Sequence, residues 1–252
     1  MIAHCKSFLL DTLRIFSTGL RLFLRYFWWV IPLNFIAIAW FPTSSDTLFM
    51  CYALVTMLLA ALMGYGTFAS AALSNKTKDG AFFYSPKNFL LGLCYGLAVS
   101  AQFGCIKFFY LTFYLGQRLA WCWIPLLIIY TVGMIHSLYY FEHGLVKIKD
   151  RLPLRQIENF FVRNFFSLVT LSLVTALPYL LILLTLPEQI LSKLDQVAFF
   201  WIDRSPGTTN HNAINFAVIA LAIIGIFVAQ LASCAMLSAF YARVKNQFNN
   251  KA

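Results

Sequence analysis

The sequence predicts an all-α fold, a polytopic integral membrane bundle of six transmembrane helices with amphipathic helices at its interfaces. Three observations predict it. Hydrophobic residues make up 61% of the 252-residue chain and charged residues only 11%, whereas a soluble domain carries roughly 25% charged residues. A single water-soluble globule cannot hide that much apolar surface. The apolar residues also gather in runs that approach or exceed the roughly 20 residues a helix needs to cross a bilayer. Finally, the cations concentrate in alternate connections between those runs.

Each element follows from that pattern. Residues 1–23 form an amphipathic N-terminal helix, with Phe8, Leu9, Leu13, Phe16 and Leu20 on one face and Lys6, Asp11, Arg14 and Arg21 among its polar positions. It is expected to lie on the membrane before the chain turns in. Six spans follow, near 26–41, 47–73, 88–115, 119–141, 165–186 and 214–241. The first is short, and Arg21 and Arg25 blur its start. Between the fourth and fifth lies a basic loop, 142–164, and beyond the fifth an external segment, 187–213, that reads as a further interfacial helix up to the breaker Ser205-Pro206-Gly207.

Charge placement tests this division independently. One set of connections holds Lys6, Arg14, Arg21 and Arg25, then Lys76, Lys78 and Lys87, then Lys147, Lys149, Arg151, Arg155 and Arg163, then Arg243, Lys245 and Lys251. The other set holds only Lys107, Arg118, Lys193 and Arg204. The positive-inside rule puts both termini in the cytoplasm, and in a bacterial setting makes the inner membrane the expected location. The net charge of +10 then points to anionic lipid headgroups and not to nucleic acid.

The basic loop is the first candidate contact surface. Leu154, Ile157, Phe160, Phe161 and Phe165 recur at helical spacing among Arg155, Glu158, Asn159 and Arg163, and Pro153 suits a first helical turn. An interfacial helix leading into the fifth span is expected. Lys147, Lys149, Arg151, Arg155 and Arg163 are candidates for contact with a partner or lipid. Charge that merely sets topology is the plainer reading of the same residues.

Small residues form the second group. Gly92, Gly96, Ser100 and Gly104 repeat every fourth position, and Gly225, Ala229 and Ser233 do so in the last span. Such stripes let helices approach closely, within one bundle or between copies in a homo-oligomer. Prolines in three spans, Pro32, Pro125 and Pro178, each remove a backbone hydrogen bond and favour kinks. Six cysteines form no CxxC pair and read as small apolar packing residues.

Chemistry is sparsely signalled. Gln102, His136 and Gln230 are candidate polar residues within the spans; His136 falls near the cytoplasmic end of the fourth, while Gln102 and Gln230 lie deeper, where hydrogen bonding between helices is their expected use. His136 near Glu142 and His143 could make a polar cluster, but a metal site needs more ligands at defined spacing. No span has a central carboxylate, and HExxH, GxSxG and P-loop patterns are absent. No metal, cofactor or catalytic residue is therefore assigned. The leading expectation is a non-catalytic membrane component, accessory to a transport or envelope system and bound to a membrane-protein partner or to itself. A small permease with a polar cavity lined by Gln102, Thr170, Ser172, Thr175 and Gln230 is the alternative. A membrane enzyme acting on a lipid comes third.

Three stretches resemble the YesL family of bacterial membrane proteins: RYFWWVIPLNFIAIAWFP at 25–42, YSPKNFLLGL at 84–93 and YYFEHGLVKIKDRLPLRQIENFFVRNFFSLV at 139–169. The turn PTSSDTLF after the first span departs from the family pattern. The resemblance implies a multi-pass protein without established catalytic residues, in a setting of carbohydrate uptake and degradation. It assigns no residue a role.

Overall fold

The computed structural model describes residues 2–39, 46–74, 90, 92–99, 106, 122–143, 154–185 and 216–249. Every regular element among them is helical. They are α1 (Ile2–Tyr26), α2 (Val30–Ala39), α3 (Asp46–Leu73), α4 (Trp123–His143), α5 (Leu154–Arg163), α6 (Phe165–Thr185) and α7 (Phe216–Asn249), with a short helical stretch at 92–99. Four helices contain segments long and apolar enough to cross a bilayer: Leu54–Leu73, Ile124–Phe141, Phe165–Ile182 and Ala220–Asn246. Among the described residues, four helices are thus candidate crossings, as in a multi-pass membrane protein. The third expected span, 88–115, and the external segment 187–213 fall largely or wholly outside the described residues.

The first expected span is built differently from a simple helix. Helices α1 and α2 are joined through a three-residue turn whose backbone stays partly helical. Phe27 N–H donates to Phe23, Val30 N–H to Phe27, Ile31 N–H to Trp28 and Leu33 N–H to Trp29. The switch to three-residue spacing sits one turn before Pro32. Proline has no N–H to offer, and its ring crowds the carbonyl four residues back, which is that of Trp28. The break at 27–29 therefore has a named cause.

Contacts fix the directions of the central helices. Along α1, Asp11 meets Arg243, Gly19 lies by Leu231, and the Phe23 ring packs at a tilt against Phe227 with ring centroids 4.4 Å apart. Gly19 also lies by Ser70 and Ala71, and Phe27 meets Tyr65 edge-on. Helix α1 thus runs antiparallel to both α3 and α7. Asn34 continues the path on α2, donating to Val30 O on its own helix (2.9 Å) and to Leu59 O on α3 (3.3 Å).

The apolar face of α1 expected to rest on the bilayer is therefore largely committed to the bundle. Phe8, Phe16 and Leu20 pack on the core, with Ile15 and Phe23 fully buried, while Leu9 and Leu13 stay exposed. Period alone could not separate a face meant for lipid from one meant for neighbouring helices, because both are apolar.

Helix α6 runs antiparallel to α7. Ile182 sits by Gly225, while Ala176 and Tyr179 cluster with Ala229. Its Phe165–Phe166 end is accordingly level with the Ala239–Arg243 end of α7. On α6, Leu168, Leu171, Ser172, Thr175, Ala176 and Tyr179 face inward, and Phe166, Leu173, Leu177, Leu181 and Leu184 face outward. That alternation follows the 3.6-residue turn and puts an outward leucine face where a bilayer would be.

Candidate interaction surfaces

The small-residue stripes build the interior. A methyl group on Gly96 would run into the Ala61 carbonyl oxygen, and one on Gly64 into the Gly96 backbone. Gly92 has no room for one because the Tyr65 ring covers it. The 92–99 stretch and α3 therefore meet backbone to backbone at residues where only glycine fits. A methyl group on Gly225 would sit 3.5 Å from Ile182, an ordinary contact, and Ala229 and Ser233 are buried. Five of the seven stripe residues thus pack within one chain. Ser100 and Gly104 lie outside the described residues.

The polar residues of the spans mostly bond to their own helices. Thr67 donates to Gly64 O, Thr131 to Leu127 O, Ser172 to Leu168 O and Thr175 to Ser172 O, at 2.8–3.1 Å. Thr170 is exposed and donates to Phe166 O. His136, half-buried, donates from Nδ1 to Val132 O at 2.9 Å. Ser172, Thr175 and Gln230 are buried, and the two hydroxyls are spent on local backbone. Among the described residues, Gln230 Oε1 has no hydrogen-bond partner. Gln102 lies outside the described residues. Among the described residues, no three His, Cys, Asp or Glu gather to hold a metal.

The basic segment forms the predicted amphipathic helix, α5. Arg155, Glu158, Asn159 and Arg163 are exposed. Beside them Val162 is 81% exposed and Phe166 86% exposed, with Phe165 also outward. Cations and large apolar groups thus share one outward surface, the arrangement that suits the boundary between headgroups and acyl chains. Lys147, Lys149 and Arg151 lie outside the described residues.

A polar site that the sequence did not reveal ties the two ends of the chain together. Arg243 on α7 donates to Asp11 Oδ2 from Nη2 (2.7 Å) and Nε (3.2 Å), and from Nη2 to Ser7 Oγ (2.8 Å). Its guanidinium also lies 5.3 Å from the Phe8 ring centre. Arg14, Ala239, Ala242 and Asn246 join this pair in lining a cleft of about 170 Å³. Asp11 was visible only as one polar position of α1. Nothing local connects it to a residue at the other end of the chain.

No family model, curated protein or solved structure matches this chain. The geometry offers a packed interior, an outward leucine face, the cationic elbow at α5–α6, and a line of exposed arginines on α1.

Proposed function

We propose that the protein is a non-catalytic integral membrane component, an accessory or assembly subunit of a transport or envelope system. In this reading it has six spans and cytoplasmic termini. It acts by packing its helices against a membrane partner and by presenting a basic cytoplasmic face. The setting implied by the resemblance to the YesL family is part of the same proposal. The single observation that carries it is the contrast between inside and outside. The bundle centre is filled by Phe23, Phe27, Tyr65, Phe68, Met134, Ile135 and Leu231, with span hydroxyls bonded to their own backbones. The cations Arg155 and Arg163 stand outward beside exposed Val162, Phe165 and Phe166.

Neutralising Lys147, Lys149, Arg151, Arg155 and Arg163 to glutamine tests the reading. The variant is expected to lose co-purifying membrane partners in mild detergent and to retain less phosphatidylglycerol than the parent chain. Unchanged co-purification and unchanged lipid retention would count against it.

A further inference from the structure

The cleft where α1 meets the end of α7 holds polar groups that the fold does not use up. Four of its lining side chains are polar: Asp11 and Arg14 from α1, Arg243 and Asn246 from α7. Asp11 accepts both of its Arg243 hydrogen bonds on Oδ2. Among the described residues nothing bonds its Oδ1, and Arg14 and Asn246 have no hydrogen-bond or ion-pair partner. Asp11, Arg14 and Asn246 are all exposed. The cleft thus offers a guanidinium, a side-chain amide and one carboxylate oxygen to something outside the chain.

Size and charge narrow what that is. The cleft holds about 170 Å³, less than the roughly 300–1,000 Å³ of pockets that enclose a whole ligand. It admits a group of a few heavy atoms and leaves the rest of the molecule outside. Two guanidiniums against one carboxylate give it a single net positive charge. Lys6 and Lys245 stand on the same two helices close by in sequence, so a lone ammonium is repelled. A phosphodiester brings one negative charge, whereas a phosphate monoester brings roughly −1.5 to −2 and overfills the site. The arginine fork suits phosphate oxygens, and the asparagine amide adds a donor. An ionised carboxylate only accepts, so Asp11 Oδ1 asks for a hydroxyl on the same ligand.

Apolar neighbours make the rest of that ligand a lipid. Leu10 is four residues before Arg14 and so its neighbour on the helix surface. Leu9, Leu10 and Leu13 are each more than half exposed. The α7 wall of the cleft belongs to the last two turns of a candidate crossing, Ala220–Asn246, and Arg243 is the first charge after the uncharged run 216–242. Polar headgroups belong where such a run gives way to cations. Helix α1 need only lie beside that end of α7; it need not cross. A headgroup can then enter the cleft while its acyl chains lie along the exposed leucines.

We propose that the α1–α7 cleft is a discrete phospholipid site for a phosphodiester with a hydroxylated headgroup, the chemistry of phosphatidylglycerol. Arg14 and Asn246 donate to the phosphate oxygens, and Asp11 Oδ1 accepts from a headgroup hydroxyl. Arg243 positions Asp11 by tying it to α7. The inference rests on the reading of the chain as a membrane component with a basic cytoplasmic face, and adds to that face a specific site away from α5.

The test titrates the full chain in mild detergent with short-chain phosphatidylglycerol, phosphatidylcholine or phosphatidylmethanol, and counts bound lipids by native mass spectrometry. The first phosphatidylglycerol is expected to bind roughly tenfold more tightly than phosphatidylcholine. Phosphatidylmethanol, a diester without hydroxyls, should bind several-fold more weakly than phosphatidylglycerol. R14Q should erase the preference for phosphatidylglycerol, as should N246D, which sets a second carboxylate in the cleft. R21Q removes the same charge from α1 outside the cleft and should keep the preference. Glycerophosphoglycerol, the same diester without acyl chains, should compete at least roughly tenfold more weakly than the lipid. Equal binding of phosphatidylglycerol and either other lipid overturns the proposal. So does an equal loss in R14Q and R21Q, which would mean diffuse charge only, or competition by glycerophosphoglycerol as strong as the lipid's. The α5 neutralisation variant keeps this cleft intact and should retain its first phosphatidylglycerol while losing others, so either experiment can fail without the other.

Discussion

Helices α3 and α7 and helices α4 and α6 are all apolar enough to cross a bilayer, yet they do different jobs. Inside the bundle lie 61% of the α3 crossing and 56% of the α7 crossing, against 39% for α4 and 33% for α6. The inner pair is rich in small residues where it is most enclosed: Ala61, Gly64, Gly66, Ala69, Ser70 and Ala71 on α3, and Ala229, Ser233, Ala235, Ser238 and Ala239 on α7. The outer pair presents Leu126, Ile129, Leu173, Leu177, Leu181 and Leu184 outward. In lipid no hydrophobic force distinguishes helix from solvent, so close approach decides which helices become central. Small side chains permit that approach, and large ones fill the remaining surface.

Substitutions can break or sharpen this contrast. The largest effect is expected for Gly96→Leu. Even a methyl group there meets the Ala61 carbonyl oxygen, and backbone on both sides leaves no side chain free to yield. Loss of the folded species by size-exclusion chromatography and thermal unfolding is the predicted outcome, a cost above about 4 kcal/mol. Next comes a matched pair. Leu231 is fully buried and Leu177 is 51% exposed. Leu231→Ala should cost about 2–5 kcal/mol by leaving a cavity. Leu177→Ala should cost far less, because lipid replaces the lost side chain. Unfolding in mixed detergent and denaturant measures both, and equal costs would erase the distinction. The smallest effect is expected for Gly133→Ala. Nothing lies within 4 Å of the added methyl, and alanine favours helix over glycine by up to about 1 kcal/mol. The variant should match or slightly exceed the parent in melting temperature.

How much of this was legible beforehand depended on whether the signal was local. The α5 helix was readable because Leu154, Ile157, Phe160 and Phe161 repeat at one period while Arg155 and Arg163 fall elsewhere. The α3, α4, α6 and α7 crossings were readable from unbroken apolar length. Gly92 and Gly96 were legible as packing residues. Their partner, the Ala61–Tyr65 turn of α3, was not, since spacing within one helix says nothing about which helix it meets. The course of α1 was hidden for a related reason. Its arginines made it look like a surface helix, while Gly19, Phe23 and Phe27 were already shaped to fit against Ser70, Gly66 and Tyr65. The Asp11–Arg243 pair depends entirely on tertiary structure and left no trace in local sequence.

The division into an inner and an outer pair is tested most directly by photolabelling the unmodified protein in phosphatidylcholine vesicles. The reagent is a lipid-dissolved diazirine, and adducts are located by mass spectrometry. The account predicts carbene adducts on Leu126, Ile129, Leu173, Leu177 and Leu181, and none on Thr67–Ala71 or Ser233–Ala239. Strong labelling of those two inner segments, with α4 and α6 protected, would contradict it.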